Sequence, residues 1–458
     1  MEQLNFDTLK QLLNEKKYRE FITYISKFEE VDIAEFLQEL DDEKLIIAFR
    51  SLPKDIAADV FSYLPIDFQQ LIIAKITDVE INRIIEDLYI DDAVDMLDEL
   101  PANLVKKVLK NASVSTRNTI NKFLKYDDDT AGSIMTAEFI DLKQDMNVKT
   151  AIDRIRKIGK DKESIYTCYV IDKNRKLEGV ISIKDLLLSD DDKIISSIMD
   201  KNFVSAKTSD DQETVANLFS KYDLLALPVV DNENRLVGIV TIDDAVDVIS
   251  EEAEEDFEKM AALIPSETPY LQTSVFKLYK NRILWLIVLM FAGMISGYIL
   301  SAKEEVIATV PILVSFIPML NDTGGNCGSQ SATIVIRGLT SGELSTKNWL
   351  KIWWKEFRVA LLVGITLVTF NLIRVMFLTP WGNYNNLVEK WQVALIVCLS
   401  LLITIIISKS LGALLPLLAK KLKLDPAVCA SPLITTIVDA SAILIYFALA
   451  CAIIPNLL

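Results

Sequence analysis

Asp439 is a carboxylate halfway along an apolar stretch, Ala427 to Ile454, that is otherwise long and greasy enough to cross a bilayer. An ionised Asp near the bilayer centre costs several kcal/mol unless it faces a bundle interior or a water path. Such a group either serves a transported ion or proton, or is satisfied by a Ser, Thr or backbone partner on a neighbouring helix. A second deep acid, Asp322, lies in the run Asn321-Asp-Thr-Gly-Gly-Asn-Cys-Gly-Ser-Gln-Ser331. Three glycines and a row of oxygen donors there predict a helix broken at membrane depth, which is tolerated only where it lines protein or water. Asn326 and Gln330 are four apart, so a helix would put both on one face. The other use of these glycines is a close helix-packing face. The coincidence of the run with an acid favours an ion pathway.

The donors available define the ion. The five cysteines, Cys168, Cys327, Cys398, Cys429 and Cys451, are far apart with no C-x-x-C, and there is no histidine. Thiolate and imidazole sites are thereby disfavoured, which leaves oxygen-ligand chemistry of the Mg²⁺, Ca²⁺ or Mn²⁺ type. Charge divides the chain the same way. From Phe276 onward there are 15 Lys plus Arg and 8 Asp plus Glu, a balance of +7, against 33 and 56, or −23, before it. The front part suits cations and not nucleic acid.

The elements that must position these groups fall into a multidomain membrane protein. Residues 1–130 read as an all-α superhelical domain of short helices, punctuated by Leu52-Pro53, Leu64-Pro65 and Leu100-Pro101. Residues 131–250 hold a duplication. Ile134-Met135 answers Ile198-Met199, and VIDKNRKLEGVISIKDLL (170–187) answers VVDNENRLVGIVTIDDAV (229–246), so the copies cover about 134–197 and 198–250. The two offsets, 64 and 59, put an insertion around Gly159 to Ser164. An acidic connecting helix is expected over 251–275, beginning SEEAEED at Ser250. A transmembrane domain of five spans follows at 276–458, with apolar stretches over 283–300, 306–336, 359–378, 393–419 and 427–454. Arg374 and Lys409 lie inside spans three and four and must snorkel or face the bundle interior. Met1 to Lys17 is mixed polar, so a cleaved leader is not expected. Basic residues cluster before span one, between two and three, and between four and five, while the alternate connections carry Lys303 and Lys390. A cytosolic N-terminus and an outward Leu458 in a plasma-membrane protein follow.

The duplication resembles a tandem pair of CBS domains, an α/β module. Both copies carry G-h-x-[S/T]-x-x-D, as Gly179, Ser182, Asp185 and Gly238, Thr241, Asp244. In that family the pattern often holds an adenine nucleotide, though many CBS pairs bind nothing. NDTGGNCGSQSATIVIRGL with LDPAVCASPLITTIVDASAILIYF, behind the helical domain and the CBS pair, resembles the MgtE family of magnesium channels over essentially the whole chain. The resemblance implies a homodimer embedded in membrane lipid, with Asp439 facing its twin across the axis to bind hydrated Mg²⁺. Asp425 matches a family aspartate at the start of the last span, and Asp322 and Asn326 are further pore candidates. It also implies a cytosolic Mg²⁺ sensor that holds the gate shut: Asp59, Asp91 and Asp95; Glu213, Asp223 and Asp244; Glu252, Glu255 and Asp256. Mg²⁺ is then both cargo and regulator, and ATP a candidate modulator. Cys327 stands where the family would place a small residue.

Two other readings compete with a non-enzymatic Mg²⁺ channel: a Na⁺- or H⁺-coupled divalent cation exchanger using Asp322 or Asp439, and a membrane-anchored CBS sensor that conducts nothing. Deep acids argue against the second, since an anchor has no use for them. No G-x-x-x-x-G-K-[S/T] loop marks a pump.

Overall fold

The structure is a computed structural model that describes residues 6–54, 56–266, 270–271, 273–379, 390–429 and 431–454. The expected outward terminus at Leu458 lies outside these, as do residues 267–269 and 272 of the connecting segment. The chain divides into two compact units, Met1–Ile249 and Ser250–Leu458.

The first unit begins with ten short helices, α1 (Phe6–Asn14) to α10 (Val114–Phe123). Pro65 and Pro101 stand at the N-caps of α6 (Ile66–Lys75) and α9 (Ala102–Asn111), where a fixed φ and a missing N–H cost nothing. Thr77 and Glu80 close a capping box at the head of α7 (Asp78–Asp87). Alternate helices pack: α3 (Glu30–Gln38) on α5 (Ala57–Ser62), α5 on α7 and α7 on α9; likewise α4 (Asp42–Ser51) on α6, α6 on α8 (Ile90–Glu99) and α8 on α10. Two such rows make the expected superhelix around a core that includes Phe21, Phe36 and Phe61.

Two three-stranded sheets follow, one per repeat. β1 (Ile140–Lys143), β2 (Thr167–Ile171) and β3 (Leu177–Ser182) form the first, and β4 (Ala206–Lys207), β5 (Ala226–Val230) and β6 (Leu236–Thr241) the second, each with one parallel and one antiparallel pairing. Cys168 faces Ile181 as Leu227 faces Val240, and both sheets bulge at the same place, Val170/Ile171 and Val229/Val230. The insertion is visible: residues 159–166 separate α11 (Val148–Ile158) from β2, whereas 223–225 suffice between α14 (Gln212–Tyr222) and β5. The copies trade their opening segments. Thr136 exchanges N–H···O bonds of 2.8 and 2.9 Å with Ile239 of β6, and Asp200 does the same with Val180 of β3. The two glycines of the repeated motif make room for this. A Cβ at Gly238 would fall 2.7 Å from both Met135 Sδ and the Thr136 carbonyl, and one at Gly179 would fall 2.9 Å from Met199 Sδ and the Asp200 carbonyl. Met135 with Thr136, and Met199 with Asp200, fill the space beside the two glycines of the nucleotide motif.

The acidic segment is not a separate helix over 251–275. It continues α15 (Ile242–Met260), one unbroken helix that starts directly after β6. No helix breaker stands between Asp243 and Met260, so the charge run extends the last CBS helix instead of nucleating a new one.

In the second unit the long helices are α16 (Val275–Ser301), α18 (Ile317–Thr340), α19 (Trp349–Phe377), α20 (Lys390–Lys421) and α21 (Ser431–Ile453). Four are apolar and long enough to cross a membrane; α18 falls short in hydropathy because of its polar run. The break expected inside Asn321–Ser331 is absent, since α18 is helical throughout. The irregular stretch lies upstream, where α17 (Glu304–Thr309) ends and a 3₁₀ turn, Pro311–Phe316, is tied down by the Tyr446 hydroxyl donating to the Leu313 carbonyl at 2.9 Å.

The glycines of α18 serve packing. Gly324 meets Thr404 and Val438, Gly325 meets Thr435, and Gly328 meets Ser408 and Ile434. Residue numbers on α18 and α20 rise together while those on α21 fall, so α18 runs parallel to α20 and antiparallel to α21. The Ser408 hydroxyl donates to the Gly324 carbonyl, and Gly412 lies directly on Gly328. Gly412→Val therefore drives a side chain into a backbone and is expected to lower stability by about 1–3 kcal/mol, the usual cost of overpacking. Gly293→Val, at a position with no neighbour within 4 Å, should leave it unchanged. Thermal melts of the two purified variants beside the parent check both outcomes.

Candidate functional site

Packing fixes which face α18 turns inward, and the opposite face carries the chemistry. Asp322, Asn326 and Gln330 are all exposed and spaced one turn apart, so they form a polar stripe along the helix. Asp439 lies next to Val438, the residue that touches Gly324, midway along α21. One of its oxygens, Oδ1, is enclosed without a hydrogen-bond partner among the described residues. Asn321 Oδ1, Ser400 Oγ and Thr404 Oγ1 are also enclosed and unpartnered, and Ser400, Thr404 and Ser408 follow one another by turns along α20. An oxygen enclosed among apolar helices without a donor is costly unless a cation or water meets it. Each is an oxygen of the kind that hard cations and their hydration waters take.

A second polar group is separate from this stripe, and of its members the sequence pattern pointed to Lys409 but not to Glu356. Glu356 of α19 and Lys409 of α20 are both buried. The Ser331 hydroxyl donates to Glu356 Oε2 at 2.6 Å, and Lys409 Nζ donates to Ser331 Oγ at 3.2 Å and stands 3.9 Å from the carboxylate. Lys409 thus faces the bundle interior. Arg374 is half-buried, with its guanidinium 5.4 Å from the Phe316 ring centroid. Glu356 lies in the connection between the second and third apolar stretches of the sequence, and a helix extended back to Trp349 carries it inside.

At the end of α15, Lys259 joins that helix to the segment that leads into α21. Its ammonium is 2.7 Å from Glu255 and 2.8 Å from Asp425, whose other oxygen accepts from the Ala427 N–H at 2.8 Å. Burial opposes the charge on Lys259, but the bonds to Asp425 and Glu255 prevail and raise its pKa. Asp256, one turn before Met260, is pushed up to about 6 by burial and by the Asp425 charge. Glu252 lies one turn earlier on the same helix.

In the first unit, Asp91 and Asp92 in the first turn of α8 share a field with Asp244 at the head of α15. Burial and then the Asp244 charge raise Asp91 well above the usual carboxylate range, and the same two causes bring Asp92 to about 6. Asp244 is itself held near 6, mainly by burial, and Glu163 is pushed up to about 8 by burial and then by Asp243 and Asp244. Asp59 on α5 and Glu138 add to the same field. Among the described residues no three such side chains converge closely enough to hold one bare ion. Asp95 is exposed one turn beyond Asp91, and Glu213 and Asp223 sit at opposite ends of α14, Asp223 as its left-handed C-cap. Asp92, Glu138, Glu163 and Asp243 were missed; the pairs Asp91-Asp92 and Asp243-Asp244 were the available signal.

The nucleotide motif is occupied by its own members. The Ser182 hydroxyl donates to Asp185 Oδ2 at 2.6 Å and caps α12 (Ile183–Leu188), and the Thr241 hydroxyl donates to Asp244 Oδ2 at 2.6 Å. Each [S/T]-x-x-D is thus a helix-start motif first.

The comparisons with known proteins agree with this layout. Family models match as MgtE, divalent cation transporter, over residues 317–449; MgtE intracellular N domain over 28–129; and CBS domain over 131–191 and 195–251. The chain is 34 % identical over 447 residues to the magnesium transporter MgtE of Thermus thermophilus, covering 97 % of each, and 34 % identical over 446 residues to that of Bacillus subtilis, covering 97 % of this chain and 96 % of the other. Among solved structures it resembles the cytosolic domain of the Mg²⁺ channel MgtE in complex with ATP, at TM-score 0.51 and 33 % identity, over 53 % of this chain and all of that one.

The clustered acids have a measurable consequence. Their pKa values in the folded protein exceed the unfolded values of 3.8 and 4.5, so the folded state takes up protons as pH falls from about 8 towards 4. With a chelator present, the thermal midpoint should rise from pH 8 to pH 5. Glu163→Gln should raise it at pH 7.5 and flatten the slope. A midpoint that falls over that range would contradict the cluster.

Proposed function

The chain belongs to the MgtE family, and on that premise we propose that it is a homodimeric Mg²⁺ channel whose cytosolic half closes it when internal Mg²⁺ is high. The observation that carries the reading is Asp439: a carboxylate at the middle of an apolar helix with one oxygen enclosed and unpartnered. In a dimer, two Asp439 side chains across the axis would present a charge of −2 to a dication that keeps its waters. Asp322 and Asn326 then extend the path along the exposed stripe of α18, and Asp425 stands at its cytosolic mouth. Entry down an inside-negative potential gains about 4.6 kcal/mol per 100 mV for a dication, so no pump is needed.

Regulation rests on charge. Without Mg²⁺ the carboxylates around Asp91 and Asp244 repel and loosen the first unit; bound Mg²⁺ relieves the repulsion and favours one compact state. Asp59, Asp95, Glu213, Asp223, Glu252, Glu255 and Asp256 complete the proposed sensor. Lys259, paired with both Glu255 and Asp425, gives α15 a hold on the mouth of the path.

Asp439→Ala should abolish Mg²⁺ uptake into liposomes while the protein stays folded, since it removes a charge and leaves little void. Uptake near the parent's would remove Asp439 from the path, and loss in Asp322→Ala alone would move the site to α18. Current that fails to reverse at the Mg²⁺ equilibrium potential would favour a coupled exchanger.

ATP is proposed as a modulator bound at the CBS pair, with Ser182, Asp185, Thr241 and Asp244 turning from their mutual bonds to the ligand and Gly179 and Gly238 holding the strands that present them. Because Asp244 belongs to both proposed sets, ATP and Mg²⁺ must alter each other's affinity by one factor. Calorimetry should show ATP binding that depends on Mg²⁺ and weakens in Asp185→Ala. No heat at any Mg²⁺ concentration would remove the nucleotide.

A further inference from the structure

A cavity of about 610 Å³ opens beside the basic end of α20, against the 3₁₀ turn Thr346–Asn348 that leads into α19. Its volume lies within the range of small-molecule sites, about 300–1,000 Å³. One wall is a run of leucines on α20, Leu411, Leu414, Leu415 and Leu418. Lys347 and Lys421 stand on the lining, with Trp349 beside them. Neither lysine makes an ion pair among the described residues. Their neighbour Lys420, in contrast, is engaged, donating to the Leu339 carbonyl at 2.6 Å.

The chemistry of the lining selects its occupant. A small polar anion would bury its charge against leucine, and a purely apolar molecule would leave two ammonium groups uncompensated. An amphiphile with an anionic head and an alkyl chain satisfies both. Tryptophan at half exposure is typical of the membrane–water boundary, and both lysines belong to the connections that the positive-inside rule assigns to the cytosolic face, where acidic phospholipids concentrate. A second copy of the chain fits less well, because a twofold contact through this face would bring two sets of Lys347 and Lys421 together.

We propose that this cavity is a binding site for one acidic phospholipid, its phosphate held by Lys347 and Lys421 and an acyl chain lying along Leu411, Leu414, Leu415 and Leu418. The site also bears on the gate. Leu411 and Leu415 pack against the cluster of Ala427, Ile434 and Val438 with Met260, which joins the end of α15 to the root of α21. A lipid in the cavity therefore braces the wall that supports Asp425.

Native mass spectrometry of the full-length protein, exchanged into equal amounts of phosphatidylglycerol and phosphatidylcholine, tests this without relying on transport. The parent should retain phosphatidylglycerol at least roughly tenfold over phosphatidylcholine. Lys347→Gln with Lys421→Gln should bring the preference near unity, and Leu414→Trp, which fills the cavity and keeps both charges, should lose the lipid as well, with melting midpoints showing both variants folded. Retention unchanged in Leu414→Trp would place the lipid on the general basic surface and overturn the site. So would displacement by soluble glycerol phosphate, which would make the ligand a free phosphate, or loss of the dimer in Leu414→Trp, which would mean that a second copy covers the face. Asp439→Ala should retain the lipid like the parent, so a failed pore assignment and a failed lipid site remain separable.

Discussion

Where α18 crosses α20, Gly412 rests on Gly328 with no side chain between the backbones, and Ser408 closes the same contact by donating to the Gly324 carbonyl. Lipid tails are as apolar as leucine, so helices in a bilayer associate through close packing and polar contacts between them. A helix as polar as α18 is the least able to rely on apolarity. Its glycine face holds it between α20 and α21, and this lets the other face keep Asp322, Asn326 and Gln330 exposed. The position of Asp439 depends on the same crossing, because Val438 fills the space beside Gly324.

The molecule handles charge in two ways. Inside the bundle, Glu356 and Lys409 neutralise one another through Ser331, and removing either partner would strand the other. Around Asp91 and Asp244 the charges that act on the carboxylates are those of other carboxylates, and the repulsion is relieved as protons bind. The first arrangement makes one structure rigid. The second makes stability depend on what is dissolved in the surrounding water, which is what a sensor requires.

Much of this was legible in the sequence because periodicity and punctuation are local. Proline after a helical run placed the joints of the superhelix, and a change of offset from 64 to 59 located the insertion between α11 and β2. The failures share a cause. At Gly324 and Gly328 a helix break and a packing face were both open from the pattern and the break was favoured, and Gly179 and Gly238 stood in a nucleotide motif, whereas each is a place where another segment of the chain comes close. Which segment that is depends on residues about 20 positions away at Gly179 and about 80 to 114 away at the other three, which a local pattern does not carry. Glu356 escaped for the same reason, since its partners Ser331 and Lys409 come from two other helices. Asp439 needed no such information, because a charge in an apolar run is unusual wherever its neighbours lie.

The exchange of opening segments between the CBS copies also governs how the protein is made. Thr136 emerges early from the ribosome, yet the strand that pairs with it, Ile239 of β6, is translated only after both sheets' other strands. At about 5–20 residues per second this leaves the Ile134-Met135 segment without its partner for on the order of ten seconds. Over that interval β3 is also an open edge until Asp200 arrives, and open edges recruit other chains. Both edges close only when the second copy completes the two sheets.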